Sequence, residues 1–366
     1  MAEMSDLPAG LLLAKLASEL GRDLGRAARM AGGPARLARL SSSAVSSRLG
    51  LDADGRSTLA AVWNVETRSA LPAQIERLGV GYIDAGAAGY PAALGALFDP
   101  PFGLFTRGDW VRAFVALAER PVVAIVGSRV ASEAGTQFAS RLAADLAAAG
   151  AVVVSGLARG IDASAHEGAM AAGGITIGVA GCGVDVPYPA AHRDLYRRVA
   201  DSGAVVSEYW PGTRPAPWRF PARNRIVAGL ADAVVVVEAT ARSGALITAD
   251  FALEYGRPVL AVPGMPGSPR SQGCHALIRA GAGLCEGITD LREELPNAAW
   301  TAVSERDGPV DANARAVLTL LANEPMTPDQ AASRLGIGVP EIAGIVALLQ
   351  LDGFVTELGG RFQVVP

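Results

Sequence analysis

Lysine is almost absent from this chain of 366 residues: Lys15 is the only one, and every other permanently charged cation is arginine. A P-loop closes on a lysine, and a Schiff-base enzyme uses a lysine amine as its nucleophile. Both chemistries are therefore excluded beyond the first predicted helix. Arginine is not a nucleophile, but its planar guanidinium forms paired hydrogen bonds with phosphate.

Cysteine and histidine are also scarce. The chain has three of each, namely Cys182, Cys274, Cys285, His166, His192 and His275. Three thiols in so long a chain are not a disulfide framework, and neither a CxxC nor an HExxH spacing is present. We therefore expect no metal and no cofactor.

The sequence also lacks the marks of a membrane or secreted protein. No apolar stretch is long and uninterrupted enough to cross a bilayer, and the first residues are acidic rather than basic. Apolar residues make up 50% of the chain and charged residues 19%, so a substantial core is expected. We predict a cytoplasmic protein of about two to three domains, without membrane contact.

Short β-branched runs alternate with helical segments from Pro121 onward. The runs lie at 122–127, 151–156, 175–181, 204–208, 234–239 and 258–264. Apolar runs that end in glycine or a small polar residue are typical of strands buried on both faces, and the intervening segments are long enough for helical crossovers. This pattern predicts an α/β fold with a Rossmann-like, doubly wound, mostly parallel sheet, which binds ligands beyond the carboxyl ends of its strands.

Two flanking regions differ from this pattern. The first is rich in Ala and Leu at helical spacing, and the last contains three helical segments followed by a hairpin around Gly-Gly, which is typical of a winged helix. We predict a helical accessory domain at 1–85, the Rossmann-like domain with its leading segment at 86–297, a linker at 298–308 and a winged-helix domain at 309–366.

The predicted winged helix is acidic. From Pro309 it carries three arginines against six acidic residues, and its third helix contains Glu341 and Asp352 but no cation. A phosphate backbone would be repelled. We therefore expect this domain to contact protein rather than duplex DNA.

The turn after the first strand reads Gly127, Ser128, Arg129. A dinucleotide fingerprint would require GxGxxG here and an acid after the second strand, which instead ends at Ser155 and Gly156. NAD is therefore disfavoured. The free amides at the start of the following helix favour an anion, and Arg129 makes phosphate a suitable guest.

The turn after the second strand contains Gly160, Asp162 and His166. Asp162 and His166 are four residues apart on one helix face, where they are either an acid/base pair or a capping aspartate and a surface histidine. No serine or cysteine lies in an evident nucleophile elbow. We predict no catalytic residue.

The stretch RFPARNRIVAGL at 219–230 concentrates cations. Arg219, Arg223 and Arg225 lie beside Phe220, and no acidic residue occurs from 212 to 229. Cations that pair with phosphates next to aromatic rings that stack on bases are typical of a single-strand groove. The alternative is a solvated loop whose aromatic rings pack on the core.

The turn after the fifth strand has small residues and hydroxyls at Ser243, Gly244 and Thr248. Glycine and serine at a helix start let an anion or a sugar approach the backbone closely. We therefore predict that this turn borders the same site.

These motifs together resemble one family. The segments GSR, SGLARGID, GVDVPYP, FPARNRIVAGL, EATARSGALITA and GCHALIRAGA occur in order within 127–282 and are similar to the DNA-processing protein A family, also called DprA or Smf. The resemblance implies single-stranded DNA binding, loading of a RecA-type recombinase during natural transformation, a homodimer and no catalytic turnover. It assigns phosphate or DNA contact to Gly127, Ser128, Arg129, Phe220, Arg223, Asn224 and Arg225.

The chain departs from the family pattern at two positions. His275 stands where the GxNxLI motif has asparagine, and Ala222 stands where many members have a further cation. The predicted DNA- and phosphate-binding residues are Gly127, Ser128, Arg129, Ser155, Gly156, Gly160, Phe220, Arg223, Asn224, Arg225, Ser243, Gly244 and Thr248.

An enzyme of another class is the alternative. Nucleoside monophosphate phosphoribohydrolases of the lysine-decarboxylase-like type share the fold and a PGGxGTxxE motif. In this chain Thr248 is followed by Ala249 and Asp250, so the catalytic glutamate is not in register. The sequence therefore favours the DNA-binding hypothesis.

Overall fold

The computed structural model describes residues 8–301, 311–351 and 354–364. They belong to two compact units, Met1–Thr301 and Ala302–Pro366. Most of the predicted linker, 298–308, and Asp352 lie outside the described residues. The other predicted domain boundaries stay predictions.

Six helices begin the first unit: α1 Ala9–Leu20, α2 Gly25–Met30, α3 Pro34–Ala38, α4 Ser42–Leu49, α5 Ala53–Trp63 and α6 Val65–Arg77. Side chains of Ser41, Asp52 and Asn64 cap α4, α5 and α6 by accepting a backbone N–H. Leu12 and Leu16 of α1 are fully buried in a cluster that also contains Phe105 and Val205 from the sheet. The helices therefore share a core with the sheet.

A leading segment connects these helices to the main sheet. It contains β1 Gly81–Asp84, α7 Ala92–Gly95, β2 Gly103–Gly108 and α8 Trp110–Glu119. The two strands pair antiparallel, and β2 pairs antiparallel with a strand of the main sheet at 204–207. The sequence indicated no strands here, since short runs between turns show little periodicity.

The main sheet alternates with helices: β3 Val122–Gly127, α9 Glu133–Ala148, β4 Val152–Ser155, α10 Ile161–Ala171, β5 Thr176–Val179, α11 Arg193–Ser202, β6 Ala204–Ser207, α12 Arg219–Leu230, β7 Ala233–Val237, α13 Gly244–Glu254, β8 Val259–Ala261, α14 Gln272–Arg279, β9 Gly283–Leu284 and α15 Ile288–Glu294. Two 3-10 helices lie at Ala190–His192 and Pro269–Ser271. Among the described residues the strand order is β1-β2-β6-β5-β4-β3-β7-β8-β9, and β3 to β9 pair in parallel. The predicted fold class is confirmed.

The sheet is buried on both faces, which explains the continuous apolar runs. In β3, Ala124 and Val126 belong to one core cluster, whereas Val123 and Ile125 belong to the cluster on the other face. Burial of each such valine or isoleucine contributes about 1.5–3 kcal/mol. From β3 the chain continues to β4 on one side and later to β7 on the other, which places a crevice at the carboxyl end of β3.

The second unit is a winged helix, as predicted. It consists of α16 Ala312–Asn323, α17 Pro328–Leu335 and α18 Val339–Leu351, followed by the antiparallel hairpin of β10 Val355–Leu358 and β11 Arg361–Val364. Thr327 caps α17 in a capping box with Gln330. Gly359 and Gly360 turn the hairpin at φ 60° and 78°, a conformation that favours glycine.

Among the described residues no single helix is long and apolar enough to cross a bilayer. The pair α17 and α18 passes by length and composition when taken together, but the two helices are bent by 116° at their junction.

His166 is a core residue rather than a surface histidine or half of an acid/base pair. Its Nδ1 lies 2.7 Å from Thr176 Oγ1, and that hydroxyl donates to the carbonyl oxygen of Val153 at 3.0 Å. The hydroxyl must then accept from Nδ1–H, which fixes the tautomer. Burial, with a smaller contribution from nearby Arg223, lowers the pKa of His166 to about 3.

Acid should therefore destabilise the first unit through His166. The unfolded chain takes up a proton below the ordinary pKa of 6.5, whereas the folded protein resists protonation down to about 3. The free energy of unfolding should fall by about 1.4 kcal/mol per pH unit in this window. Urea unfolding at pH 7 and pH 4.5, followed by tryptophan fluorescence, measures this change, because all five tryptophans lie in 1–301.

The matched comparison uses His166→Gln, which retains a donor toward Thr176 but does not titrate. This variant should lose less stability between pH 7 and pH 4.5 than the wild type, whereas His192→Gln, at a half-buried histidine, should follow the wild type. Equal losses in the wild type and His166→Gln would contradict the assignment.

Candidate nucleic-acid interface

A cavity of ≈ 850 Å³ lies at the carboxyl ends of β3, β4 and β7. Ten of the thirteen predicted site residues line this first cavity: Gly127, Ser128, Arg129, Gly156, Phe220, Arg223, Asn224, Ser243, Gly244 and Thr248. The other three, Ser155, Gly160 and Arg225, lie outside it. The crevice is thus where a doubly wound sheet places a ligand.

The Gly127–Arg129 turn forms one wall. A Cβ at Gly127 would overlap the carbonyl oxygen of Val237, so glycine lets β3 and β7 approach. The Ser128 hydroxyl accepts from Val130 N at 3.2 Å and holds the turn in shape. Arg129 is exposed, and its guanidinium lies 5.5 Å from the ring centroid of Phe220.

The start of α9 does not offer the free amides expected from the sequence. The carboxylate of Glu238 accepts from Ser132 N at 2.8 Å and also from the Ser132 hydroxyl, which in turn caps Gly135 N. The protein's own anion therefore occupies this helix start. The predicted anion site at α9 is wrong, because Glu238, the residue after β7 and far away in sequence, supplies the carboxylate that fills it.

The start of α13 is open instead. Ser243 caps the helix by accepting from Ala245 N at 3.3 Å, and the position of a Cβ on Gly244 has no neighbouring atom within 4 Å. Asn224 donates to Gly244 O at 3.1 Å and fixes this start against α12. Amides at a helix start attract anions, so this wall of the first cavity is suited to phosphate.

Arg223 is buried rather than exposed to the cavity, with only 3% of its surface accessible. Its Nη1 donates to the carbonyl oxygens of Gly156 and Val179, at the ends of β4 and β5. Burial lowers the pKa of the guanidinium, and the nearby carboxylate of Asp162 opposes that shift. Arg223 therefore fastens α12 across two strand ends.

Gly156 leaves room for this arrangement. A Cβ there would lie 2.6 Å from Asp162 Oδ2 and 2.7 Å from Arg223 Nη2. Asp162 is buried and accepts from Ala158 N at 3.2 Å. Burial raises the pKa of Asp162, whereas Arg223 and the Ala158 amide lower it. Asp162 was one candidate for the cap of α10, but it lies in the first turn of that helix. The residue at the N-cap position is Gly160.

Ser155 and Gly160 support the turns without lining the first cavity. The Ser155 hydroxyl donates to Ile125 O at 2.6 Å and ties β4 to β3. Gly160 has a φ of 76°, and a Cβ there would overlap the carbonyl oxygen of Ser128. Ser155 thus fixes the strand that leads into the Gly127–Arg129 turn, and Gly160 packs directly against that turn.

Arg225 projects from the opposite face of α12. Its Nη2 lies 2.6 Å from Glu208 Oε2, and its Nε lies 3.5 Å from Asp99 Oδ2. The other carboxylate oxygen of Asp99 pairs with Arg29. Arg223 and Arg225 are therefore compensated by acids outside the stretch 219–230. Arg225, which was predicted to contact phosphate, lies outside the first cavity, because its partners come from the end of β6 and from the leading segment.

Tyr188 and Arg270 line the first cavity but were not predicted. Tyr188 stacks on Phe220 with ring centroids 5.3 Å apart, and Arg270 Nε donates to Val130 O at 3.3 Å. An aromatic residue between prolines in GVDVPYP was a usable signal for Tyr188. Nothing in the sequence marked Arg270, because its position depends on how the loop after β8 folds back.

The charge of the first cavity is positive. Three arginines line it, at 129, 223 and 270, against the single carboxylate of Asp162. Arg223 and Asp162 are both buried and offset one another, which leaves Arg129 and Arg270 to face a ligand. Asp250, the acid nearest the expected catalytic position of the enzyme alternative, is exposed and is not part of the lining.

Known families and proteins match this chain. The family model of DNA recombination-mediator protein A matches residues 82–296, and that of the DprA winged helix domain matches 304–361. The DNA processing protein DprA of Streptococcus pneumoniae is 44% identical over 206 residues, which cover 56% of this chain and 71% of that protein.

Two solved structures are also similar. That of DprA from Streptococcus pneumoniae has a TM-score of 0.63 and 33% identity, covering 79% of this chain and 96% of its own. That of DNA processing protein A from Helicobacter pylori, which was studied for its single-stranded DNA binding mode, has a TM-score of 0.52 and 32% identity, covering 59% and 95%.

Removal of the Arg223 side chain should destabilise the first unit. Arg223→Ala leaves two buried carbonyls without their donor and Asp162 without its neighbouring cation, so the free energy of unfolding should fall by about 3 kcal/mol. Urea unfolding followed by tryptophan fluorescence measures the loss. Arg107→Ala removes the same charge from an exposed position at the other end of the sheet and should change stability by about 0.5 kcal/mol or less. An Arg223→Ala protein of wild-type stability would show that the guanidinium does not hold the crevice.

Proposed function

The chain belongs to the DNA recombination-mediator protein A family, and on that premise we propose that it is a cytoplasmic protein that binds single-stranded DNA in the first cavity. One observation carries the proposal. The open start of α13 and the side chains of Arg129 and Arg270 meet the Tyr188–Phe220 stack in one crevice. Such a site offers donors for phosphate next to aromatic faces for bases.

The residues take distinct roles in this proposal. Arg129 and Arg270 neutralise phosphates, the amide of Gly244 donates to a further phosphate oxygen, and Tyr188 and Phe220 stack on a base. The Ser243 amide donates to Thr240 O instead, at 3.0 Å. Arg223 is a positioning residue, because its donors are used by the carbonyl oxygens of Gly156 and Val179. Arg225 contributes to stability through Glu208 and Asp99.

We propose binding without catalytic turnover. The carboxyl group of Asp162 is buried against backbone amides and Arg223, and His166 is held neutral in the core. A general acid or base must reach the proton that it transfers, and both groups are committed to internal contacts.

Loss of Arg129 should weaken single-stranded DNA binding and reduce its dependence on salt. Arg129→Ala removes one phosphate contact, so the affinity for labelled oligo(dT) should fall about tenfold. The plot of log affinity against log salt should become less steep by about 0.7. Fluorescence anisotropy across a salt series measures both quantities.

Arg107→Ala is the charge-matched control and should leave affinity and slope near those of the wild type. Binding that is indifferent to Arg129, or equal affinity for duplex and single strand, would contradict the proposal. Release of adenine from AMP by the same preparation would instead assign the first cavity to the phosphoribohydrolase alternative.

We further propose that the protein is a homodimer that loads a RecA-type recombinase onto incoming DNA in natural transformation. Membership of the family supports this step. The wild type should shorten the lag before a RecA-type recombinase begins to hydrolyse ATP on DNA covered by a single-strand-binding protein, and Arg129→Ala should not. Sedimentation velocity should give twice the mass of the chain. An unchanged lag when the DNA is saturated with the wild type would refute recombinase loading.

A further inference from the structure

A second cavity, of ≈ 420 Å³, lies on the other side of α12. Its walls come from α1, from the segment after α7, from the segment after β6, and from α12 and α13. The aromatic residues among them are Phe98, Phe102, Tyr209, Trp210, Trp218, Phe251 and Tyr255. Its volume lies in the range of cavities that bind small planar ligands.

The helix α12 separates the two cavities. Successive residues of an α-helix are rotated by about 100°, so Ala222 and Arg225 face away from Arg223 and Asn224. The first pair lines the second cavity, and the other pair lines the first. At the beginning of α12 the neighbours Pro217 and Trp218 line the first and second cavity respectively. A nucleic-acid strand that crosses this end of α12 would therefore contact both cavities.

Large rings at the second cavity are exposed to solvent. Phe98 is 83% exposed and Trp218 is 46% exposed, although both are large apolar side chains. Arg29 lies over the Phe98 ring at 5.2 Å, and Arg219 lies over the rings of Trp218 and Tyr209 at 4.9 Å and 5.2 Å. Aromatic faces and guanidinium planes are the surfaces on which unpaired bases stack.

The charges of the second cavity suit a neutral ring rather than phosphate. Four arginines line it, at 22, 29, 219 and 225, against four acids, at 23, 99, 208 and 254. Two of its guanidinium atoms, Arg219 Nε and Arg225 Nη1, have no hydrogen-bond partner among the described residues. The ring carbonyls and ring nitrogens of a nucleobase are acceptors that match such donors.

We propose that the second cavity receives a base of the DNA strand whose phosphates lie in the first cavity. This proposal rests on the proposed function, because it needs a strand in the first cavity. The phosphates of the DNA strand lie along the first cavity, and its sugar-phosphate backbone passes over Pro217 and Trp218. The next unpaired base then stacks between Trp218 and Phe98.

Substitutions at the two exposed rings test the proposal. Phe98→Ala and Trp218→Ala should each weaken binding of oligo(dT) to the full chain about fivefold or more, since stacking carries that much per base. The salt slope should stay at the wild-type value, because no phosphate contact is lost. Leu253→Ala removes an exposed apolar side chain that lines neither cavity, and should leave affinity unchanged. Thermal melting of each variant confirms that it is folded.

Photocrosslinking provides the second readout. An oligo(dT) in which single thymidines are replaced by 5-iododeoxyuridine should form crosslinks to Trp218, Phe98 or Tyr209, mapped by mass spectrometry. Unchanged affinity in both ring variants, or crosslinks confined to Tyr188 and Phe220, would overturn the second site and leave the proposed function intact. A flatter salt slope in Trp218→Ala would overturn it in favour of a phosphate contact. Failure of the wild type to bind any oligonucleotide would overturn both.

Discussion

The guanidinium of Arg223 holds the crevice together. Its donation to the carbonyl oxygens of Gly156 and Val179 joins α12 to the ends of two neighbouring parallel strands, β4 and β5. A charge placed so deep must be satisfied by hydrogen bonds and a nearby opposite charge. That requirement explains why Asp162 is buried beside it and why Gly156 has no side chain. The buried position of Asp162 and the glycine at position 156 therefore both depend on the Arg223 contact.

The two helix starts that border the first cavity differ in whether an internal carboxylate occupies them. One helix start, at α9, is satisfied by the internal carboxylate of Glu238, whereas the start of α13 remains open. Glu238 has a φ of 53° and Leu157 a φ of 61°, and both follow strands that end at the crevice. Backbone strain of this kind persists only where the surroundings enforce it, and it is concentrated at binding sites. Here it turns the Glu238 carboxylate toward Ser132, so that the start of α9 is satisfied from within the protein.

The sequence predicted the features that depend on local pattern. The strands β3 to β8, the capped helix α17 and the hairpin of the winged helix follow from runs, caps and turns near each residue. Ten of the thirteen predicted site residues line the first cavity, and their contact with DNA stays a prediction. The errors share another cause. Arg225 was predicted to contact phosphate because no acid occurs from 212 to 229, but its partners, Glu208 and Asp99, come from other segments. Burial of Arg223 and His166, and the filling of α9 by Glu238, depend on contacts between distant segments. Short strands such as β1, β2 and β9 are held by their neighbours rather than by their own pattern.

The position of α12 between two cavities has a thermodynamic consequence. A helix that forms one wall of each cavity cannot shift against one ligand without changing the shape offered to the other. Any factor by which occupancy of the first cavity alters affinity in the second must be matched by the same factor in the reverse direction. The arginines of α12 are held by the strand ends on one face and by Asp99 and Glu208 on the other, so a displacement of the helix toward one cavity would change the shape of the other.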